Sequence, residues 1–495
     1  MAFGSVALAA LGAACAVGPD YRRPEAPKTD HYTVHPLPST TAESTGVSAG
    51  QAQTFAPQSA IPMRWWTTFE CPALDALVDE AFKASPTVAA AQAALREAHE
   101  NVLAAWGVLI PAIDGSASAE RQRLAGGEFG PGSPSFVYNL FNASVNVSYG
   151  LDLWGGARRE LEALRAQRDY ERYTLEGTYL TLASNVVTTA IAEASLRAQI
   201  ATTEELVAAS TRRLNVIKTQ LRLGGASSAD VLAQQAELAQ DRVSLPGLRD
   251  QLEKQRSLLA TLLGRLPSDQ PAVQFQLSDL HLPETLPVSL PSDLVAQRPD
   301  VRQQEELLHQ ASAQIGVATA NMLPQLSLSA SLGGSSTSSQ TLFEAASRTW
   351  SLEASVAQPI FHGGQLLHKR RAAIAAYDQA RAQYHDTVLT AFRNVADTLR
   401  ALSDDADTLN AQNDAEQAAA ASLALTDRQY SLGAISFLTL LNAQRAEMQA
   451  HILMIQAEAA RYADTAALFQ ALGGGWGSSD QDVKADAKQR PGVSQ

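Results

Sequence analysis

Val145-Asn146-Val147-Ser148-Tyr149-Gly150-Leu151-Asp152-Leu153-Trp154-Gly155-Gly156 is the stretch on which the fold turns. Val145, Val147, Tyr149, Leu151 and Leu153 alternate with Asn146, Ser148, Gly150 and Asp152, a period of two that gives a strand one apolar and one polar face. Past Gly155-Gly156 the period changes. Residues 157–223 hold no proline and almost no glycine, which predicts a single helix of roughly 100 Å at about 1.5 Å per residue. Along it Leu196, Ile200, Val207, Leu214, Ile217 and Leu221 recur at heptad-like spacing, the seam of a coiled coil. Gly224-Gly225 stops the rod, and a second helical stretch runs over 231–263, so these glycines mark the tip of a helical hairpin.

Outward from this stretch the same series occurs twice. Upstream, Ser85-Pro86-Thr87-Val88 opens a helix that ends at Leu109-Ile110-Pro111, after which Ile113, Gly115, Ala117 and Ala119 alternate with Asp114, Ser116, Ser118 and Glu120. In the second half Arg298-Pro299-Asp300-Val301 opens a helix that ends at Met322-Leu323-Pro324; Pro86 and Pro299, like Pro111 and Pro324, are 213 apart. Leu326, Leu328, Ala330 and Leu332 then alternate with serines, and Trp350, Leu352, Ala354 and Val356 with Ser351, Glu353 and Ser355. Phe361-His362-Gly363-Gly364 matches Leu153-Trp154-Gly155-Gly156 at an offset of 208. A second glycine-free rod covers 365–432, with Ile374, Tyr377, Tyr384, Val388, Ala391, Val395, Leu402 and Leu409 as its seam. Gln220, Leu223, Gly224, Leu232 and Gln235 match Gln429, Leu432, Gly433, Leu441 and Gln444 at an offset of 209, and a helix over 438–472 follows Gly433-Ala434. Residues 121–139 and 333–348 read as loops between strands. Alanines beside both seams let each helix pack neighbours on two sides, favouring a wall of helices over a compact bundle.

This predicts a mainly α protein with a β part, organised as a signal and lipidation site at 1–15, an extended Pro-rich arm at 16–62, a first repeat at 63–264, a linker at 265–292, a second repeat at 293–475 and a polar tail at 476–495. Residues 1–14 have the length of a signal h-region, too short to span a bilayer. Leu11-Gly12-Ala13-Ala14-Cys15 puts two small residues before a cysteine, as a bacterial lipoprotein peptidase requires, so Cys15 is the expected lipidated first residue, its acyl chains anchored in a leaflet. Cys71 reads as a buried small hydrophobe.

Composition removes whole classes of function. In the 495 residues Lys and Arg number 38 against 51 Asp and Glu, a net charge of −13, and no basic block offers to neutralise phosphates, so nucleic acid is not a partner. Two cysteines make neither a disulfide framework nor a four-thiolate zinc site, and nine histidines lack metal spacing. His31 and His35 stand four apart in the Pro-rich arm and read as solvated; Gly473-Gly474-Gly475 has no following helix to cradle a phosphate. No nucleophile, Walker loop or His-Glu-x-x-His stands out, so neither an enzyme nor a cofactor is expected. Beyond residue 15 no apolar run approaches the roughly 18 to 20 residues of a spanning helix, and mean hydropathy is −0.11. Any membrane crossing is by strands, and each predicted strand has about the 9 to 11 residues a barrel strand needs. Four strands cannot close a barrel, whose minimum is about eight, so closure takes several copies: two give 8 strands, three give 12.

These features resemble the outer membrane factor family of tripartite efflux systems, the TolC- and OprM-like channels, in its NodT lipoprotein branch. The resemblance is carried by Cys15 with Val17-Gly18-Pro19-Asp20-Tyr21-Arg22-Arg23-Pro24, Trp65-Trp66 with 69–77, Arg298-Pro299-Asp300-Val301, Gln358-Pro359-Ile360-Phe361 with Gly363-Gly364, and Tyr430-Ser431-Leu432-Gly433 with Leu440-Leu441-Asn442-Ala443-Gln444-Arg445. It implies a homotrimer with a 12-stranded β-barrel in the outer membrane of a Gram-negative bacterium, lipid-anchored, and a helical α-barrel through the periplasm. Its closed inner end would open on docking to a periplasmic adaptor (membrane fusion) protein and an inner-membrane efflux transporter, making the chain a passive exit duct for small toxic compounds or drugs. The family's tip and gate positions fall on Gly224, Asp230, Tyr430 and Gly433, which implies a pore gate at Asp230, Tyr430 and Asn442 and docking tips at Gly224, Gly225, Gly433 and Ala434. Where the family commonly has acidic gate residues on the other hairpin, this chain has Ser436 and Asn442, which implies a weaker cation preference. An exported lipid-anchored coiled-coil scaffold or adaptor would share heptads and lipidation, but it has no need of four strands with an apolar face.

Overall fold

The computed structural model describes residues 16–29, 31–34, 36, 38–57, 59–125, 130 and 134–475. The predicted signal, Cys15, His35 and the tail at 476–495 lie outside the described residues. The elements in chain order are β1 (Thr54–Pro57), α1 (Pro72–Ala84), α2 (Pro86–Gly107), β2 (Ala112–Leu124), β3 (Phe136–Leu151), α3 (Gly156–Arg222), α4 (Ser228–Leu262), β4 (Thr285–Val288), α5 (Pro291–Gln297), α6 (Pro299–Ala320), β5 (Gln325–Ser336), β6 (Arg348–Ala357), α7 (Gln365–Ser431) and α8 (Phe437–Ala471). The rods α3 and α7 are 67 residues each, and α4 and α8 are 35 each. No helix among the described residues is long and apolar enough to cross a membrane.

The chain folds into two compact units. One gathers the chain up to Pro24 with Ala94–Arg172 and Gln303–His385. It holds a four-stranded antiparallel sheet in the order β2-β3-β5-β6. Register makes the sheet two-faced: Gly115, Val145, Leu332 and Trp350 form one cross-strand row and Ile113, Val147, Ala330 and Leu352 the next, while Asp114, Asn146, Ser331 and Ser351 share a row on the other face. The apolar face is bare, with Ile113, Leu332, Trp350, Leu352 and Val356 all exposed. Pairing runs further than alternation predicts. Arg121, Gln122, Arg123 and Leu124 pair with Asn139, Tyr138, Val137 and Phe136 inside the stretch read as loop, where side chains tie the strands, as in the 3.1 Å bond from the Tyr138 hydroxyl to Gln122. An alternation rule misses such a ladder because apolar and polar side chains do not alternate along it: Phe136 and Val137 are adjacent on one strand, and Arg121, Gln122 and Arg123 are consecutive on the other.

In the same unit the string at 17–24 is seated on helices. Val17 N–H donates to the Trp154 carbonyl at 2.9 Å, and Arg159, almost fully buried, pairs with Asp20 at 2.6 Å and Glu162 at 2.7 Å. Gly18 lies so close to Gly316 that a Cβ on it would fall 2.4 Å from the Gly316 Cα. Tyr21 stacks on His309 with centroids 4.2 Å apart, and Arg23 pairs with Glu305 at 3.1 Å.

The other unit, Glu25–Ala93, Tyr173–Arg302 and Asp386 onward, contains an aromatic core. Trp65 is fully buried, stacked on Phe469 at 5.3 Å and edge-on to Trp66 at 6.0 Å. The arm, read from sequence as extended, and the linker each supply a strand: β1 pairs in parallel with β4, Thr54 opposite Thr285. Arg461, fully buried on α8, holds the arm by donating to the carbonyls of Ala49 and Gln51 at 2.6 Å and to the Thr41 hydroxyl at 2.9 Å. The seam residues Val388, Ala391, Val395, Leu402 and Leu409 are buried as their spacing requires. Pro246 lies inside α4 without ending it, on an exposed turn where water can reach the unpaired carbonyl one turn back.

Candidate functional site

The candidate site is the pair of hairpin turns in the second unit. Each rod ends the same way. Gly224 takes φ +80° and Gly433 φ +74°, left-handed values that glycine adopts without strain. Gly225 N–H reaches the Gln220 carbonyl and Gly224 N–H that of Leu221; Ala434 and Gly433 repeat this with Gln429 and Tyr430. Both turns are Schellman caps, which satisfy the last carbonyls of α3 and α7. Nothing lies within 4 Å of a Cβ built on Gly224 or Gly433, so the turns stand clear.

The helices that leave the turns begin differently. Ser227 and Asp230 form a full capping box: the Ser227 hydroxyl accepts from Asp230 N–H at 3.2 Å, and the Asp230 carboxylate accepts from Ser227 N–H at 2.9 Å and its hydroxyl at 2.7 Å. Those bonds to the charged form hold the Asp230 carboxyl below the ordinary range. At the other turn Ser436 accepts from Thr439 N–H at 3.3 Å, but Thr439 offers a hydroxyl where Asp230 offers a carboxylate, so only half the box forms.

Tyr430 sits between the hairpins. Its ring tilts onto Phe437 at 5.8 Å and its hydroxyl reaches the Gln220 side-chain carbonyl at 3.5 Å. Burial and the nearby Asp230 charge push its hydroxyl up in pKa, against the opposing pull of Arg213. Asn442, one residue past the buried Leu441, is exposed.

Sequence spacing did not reveal the pairs that join one hairpin to the other. Arg213 on α3 meets Asp427 on α7 at 3.2 Å. Arg445 on α8 clasps Glu237 on α4, its Nε lying 2.7 Å from both carboxylate oxygens while Nη2 also donates. Glu237 is buried, and beside it Asp241, raised by burial, accepts from the Ser210 hydroxyl at 2.7 Å. Leu214 and Ile217 of α3, Val231 and Leu238 of α4, and Phe437 and Leu441 of α8 form one apolar cluster, against which Tyr430 of α7 packs. Arg445 ends the Leu440–Arg445 string, but Glu237 is 208 residues away, so no local rule joins them. Among the described residues no cluster of His, Cys, Asp or Glu is placed to hold a metal.

The family described as outer membrane efflux protein matches residues 77–265 and 290–474, covering both rods, both turns and all four strands of the sheet. The chain belongs to that family. Among its outer membrane efflux relatives, the pyoverdine export outer membrane protein OpmQ of Pseudomonas aeruginosa is 31% identical over 428 residues, covering 85% of this chain and 89% of its own. The toluene efflux pump outer membrane protein TtgC of Pseudomonas putida is 30% identical over 465 residues, 93% of each chain. Among solved structures, the outer-membrane channel OprN superposes with a TM-score of 0.83 at 26% identity over 94% of this chain and all of its own. The Campylobacter jejuni CmeC outer membrane channel shares the fold with a TM-score of 0.86 at 23% identity, over 96% of this chain and 98% of its own. This outer membrane efflux protein therefore works in efflux, at the outer membrane.

Proposed function

We propose that the chain is the passive exit duct of a tripartite pump, assembled as a homotrimer and gated at the two hairpin turns. The observation that carries this reading is the open four-stranded sheet. β2 and β6 are edges with unpaired ladder groups, and the apolar face beside them is bare. Edge-to-edge closure of three copies gives 12 strands with the apolar rows toward lipid, above the minimum of about eight for a barrel. The rods of three copies then wall a periplasmic tunnel, and Cys15 carries the lipid anchor. Gly224, Gly225, Gly433 and Ala434 receive a periplasmic adaptor, whose docking, with the inner-membrane transporter behind it, parts the hairpins. Asp230, Tyr430 and Asn442 border the constriction. Relatives are named for cargoes as different as pyoverdine and toluene, so cargo choice rests with the pump rather than with this duct.

Single-channel conductance in a planar bilayer, with native mass spectrometry of the same preparation, tests this reading. The expected result is a trimer with small, mostly closed, weakly cation-preferring events, and a higher closed-state conductance for Asp230→Ala. A monomer or dimer without channels overturns the duct, and unchanged conductance in Asp230→Ala removes that residue from the gate.

A further inference from the structure

The two places where a strand pair gives way to a rod share a Gly-Gly pair at an offset of 208 and carry opposite charge. At the first, cations are neutralised within the chain: Arg158 pairs with Asp152 at 3.1 Å, Arg159 pairs with Asp20 and Glu162, and Glu160 accepts from Gln314 at 3.3 Å. At the offset of 208, Asp152, Glu160 and Glu162 become Ile360, His368 and Arg370. Three acids are replaced by one apolar and two basic residues, and no Asp or Glu occurs between Glu353 and Asp378.

The consequence is a surface of mixed character. Ile360 and Phe361, 88% and 84% exposed, follow β6 in the chain, three and four residues beyond its last residue, Ala357. Directly after them come His362, His368, Lys369 and Arg371, all exposed. Arg370 uses its Nε on the Thr319 hydroxyl at 3.2 Å, whereas Lys369 and Arg371 enter no ion pair among the described residues. At about 100° per residue, Arg371 lies about 60° to one side of His368 and Lys369 about 100° to the other, so the two cations flank the His368 face from opposite sides. Arg371 is about 9 Å along α7 from its first residue, close to the roughly 8 Å over which an anionic surface acts at physiological salt.

We propose that this patch seats anionic phospholipid head groups of the periplasmic leaflet, with Ile360 and Phe361 at the acyl boundary and Lys369 and Arg371 on the phosphates. The assignment rests on the strands spanning the outer membrane. Two features single out lipid as the occupant: the patch follows directly on β6, whose apolar face meets lipid in the proposed barrel, and its charge complements phosphate with no internal acid to compete. Apolar anchors at the boundary with long cationic side chains reaching the head groups are the usual arrangement at a membrane interface. Each Lys or Arg near an anionic surface is worth about five-fold in affinity, so the pair gives about 25-fold.

The test uses the full-length protein in phosphatidylcholine nanodiscs, titrated with phosphatidylglycerol and released for native mass spectrometry to count retained lipids. Wild-type protein retains phosphatidylglycerol over phosphatidylcholine, K369Q/R371Q lowers that preference by about 25-fold, Lys369→Arg keeps it, and Arg158→Gln at the other junction leaves it unchanged. An unchanged preference in the double variant overturns the proposal, as does an equal loss in Arg158→Gln. Dissociation of the oligomer by the double variant overturns it in favour of a second copy as the occupant. A wild-type chain that fails to enter the nanodisc refutes the membrane reading itself, whereas insertion without preference refutes only the lipid seat.

Discussion

Arg445→Ala is the sharpest perturbation of the tip. It strips the partner from Glu237, whose side chain is 6% exposed, whereas Arg445 itself is 53% exposed. Breaking a fully buried pair costs about 3–5 kcal/mol, and water reaching the emptied Arg445 position reduces this to about 2 kcal/mol. That cost falls on the state in which α4 and α8 are clasped, so the open population of the tip rises about 30-fold. Hydrogen exchange of the amides in 437–445 reads this directly, because exchange there tracks local opening. The double variant Glu237→Gln with Arg445→Ala removes the stranded charge and recovers most of the protection, giving a coupling of at least 1 kcal/mol. Unchanged exchange in Arg445→Ala, or additive effects within about 0.3 kcal/mol, would refute the clasp as a restraint on opening. The same single variant should conduct more in the closed state, while Lys254→Ala, which removes an exposed pair with Asp250 at 2.6 Å, should leave both readouts alone.

Ser227→Ala should cost about 1 kcal/mol by removing the capping box of α4, whereas Thr439→Asp should gain about 0.5 kcal/mol by completing the half-formed box of α8; thermal melts in detergent compare the two, and equal effects of either sign would refute the assignment. Burial and the adjacent Asp464 carboxyl push Asp405 up to about 7. Its folded value exceeds its unfolded one, so its stabilising proton is held at about pH 4 and lost as pH rises through about 7. Asp405→Asn should therefore flatten the loss of stability between those limits, raising it at pH 8 by about 1–2 kcal/mol after discounting for partial exposure. Parallel pH profiles for wild type and variant would sink this account.

Periodicity alone determined the strand-to-rod series of this protein. A period of two that passes through a glycine pair into a proline-free heptad run admits one local solution, strand then rod, and the offsets 213, 208 and 209 set the order twice over. The turn glycines were legible for the same local reason: a Schellman cap needs a residue with positive φ, and Gly224 and Gly433 supply it. Asp230 was legible as a residue but not in its contacts, which are with Ser227 in the same first turn. Only the tertiary structure decided what lies far apart in sequence and close in space. The arm at 39–57 became a strap around Arg461, a strand appeared in the linker, and Glu237 met Arg445, because a buried guanidinium or carboxylate must find partners wherever the fold brings them. No spacing rule encodes such partners, since each depends on how helices distant in the chain lie side by side.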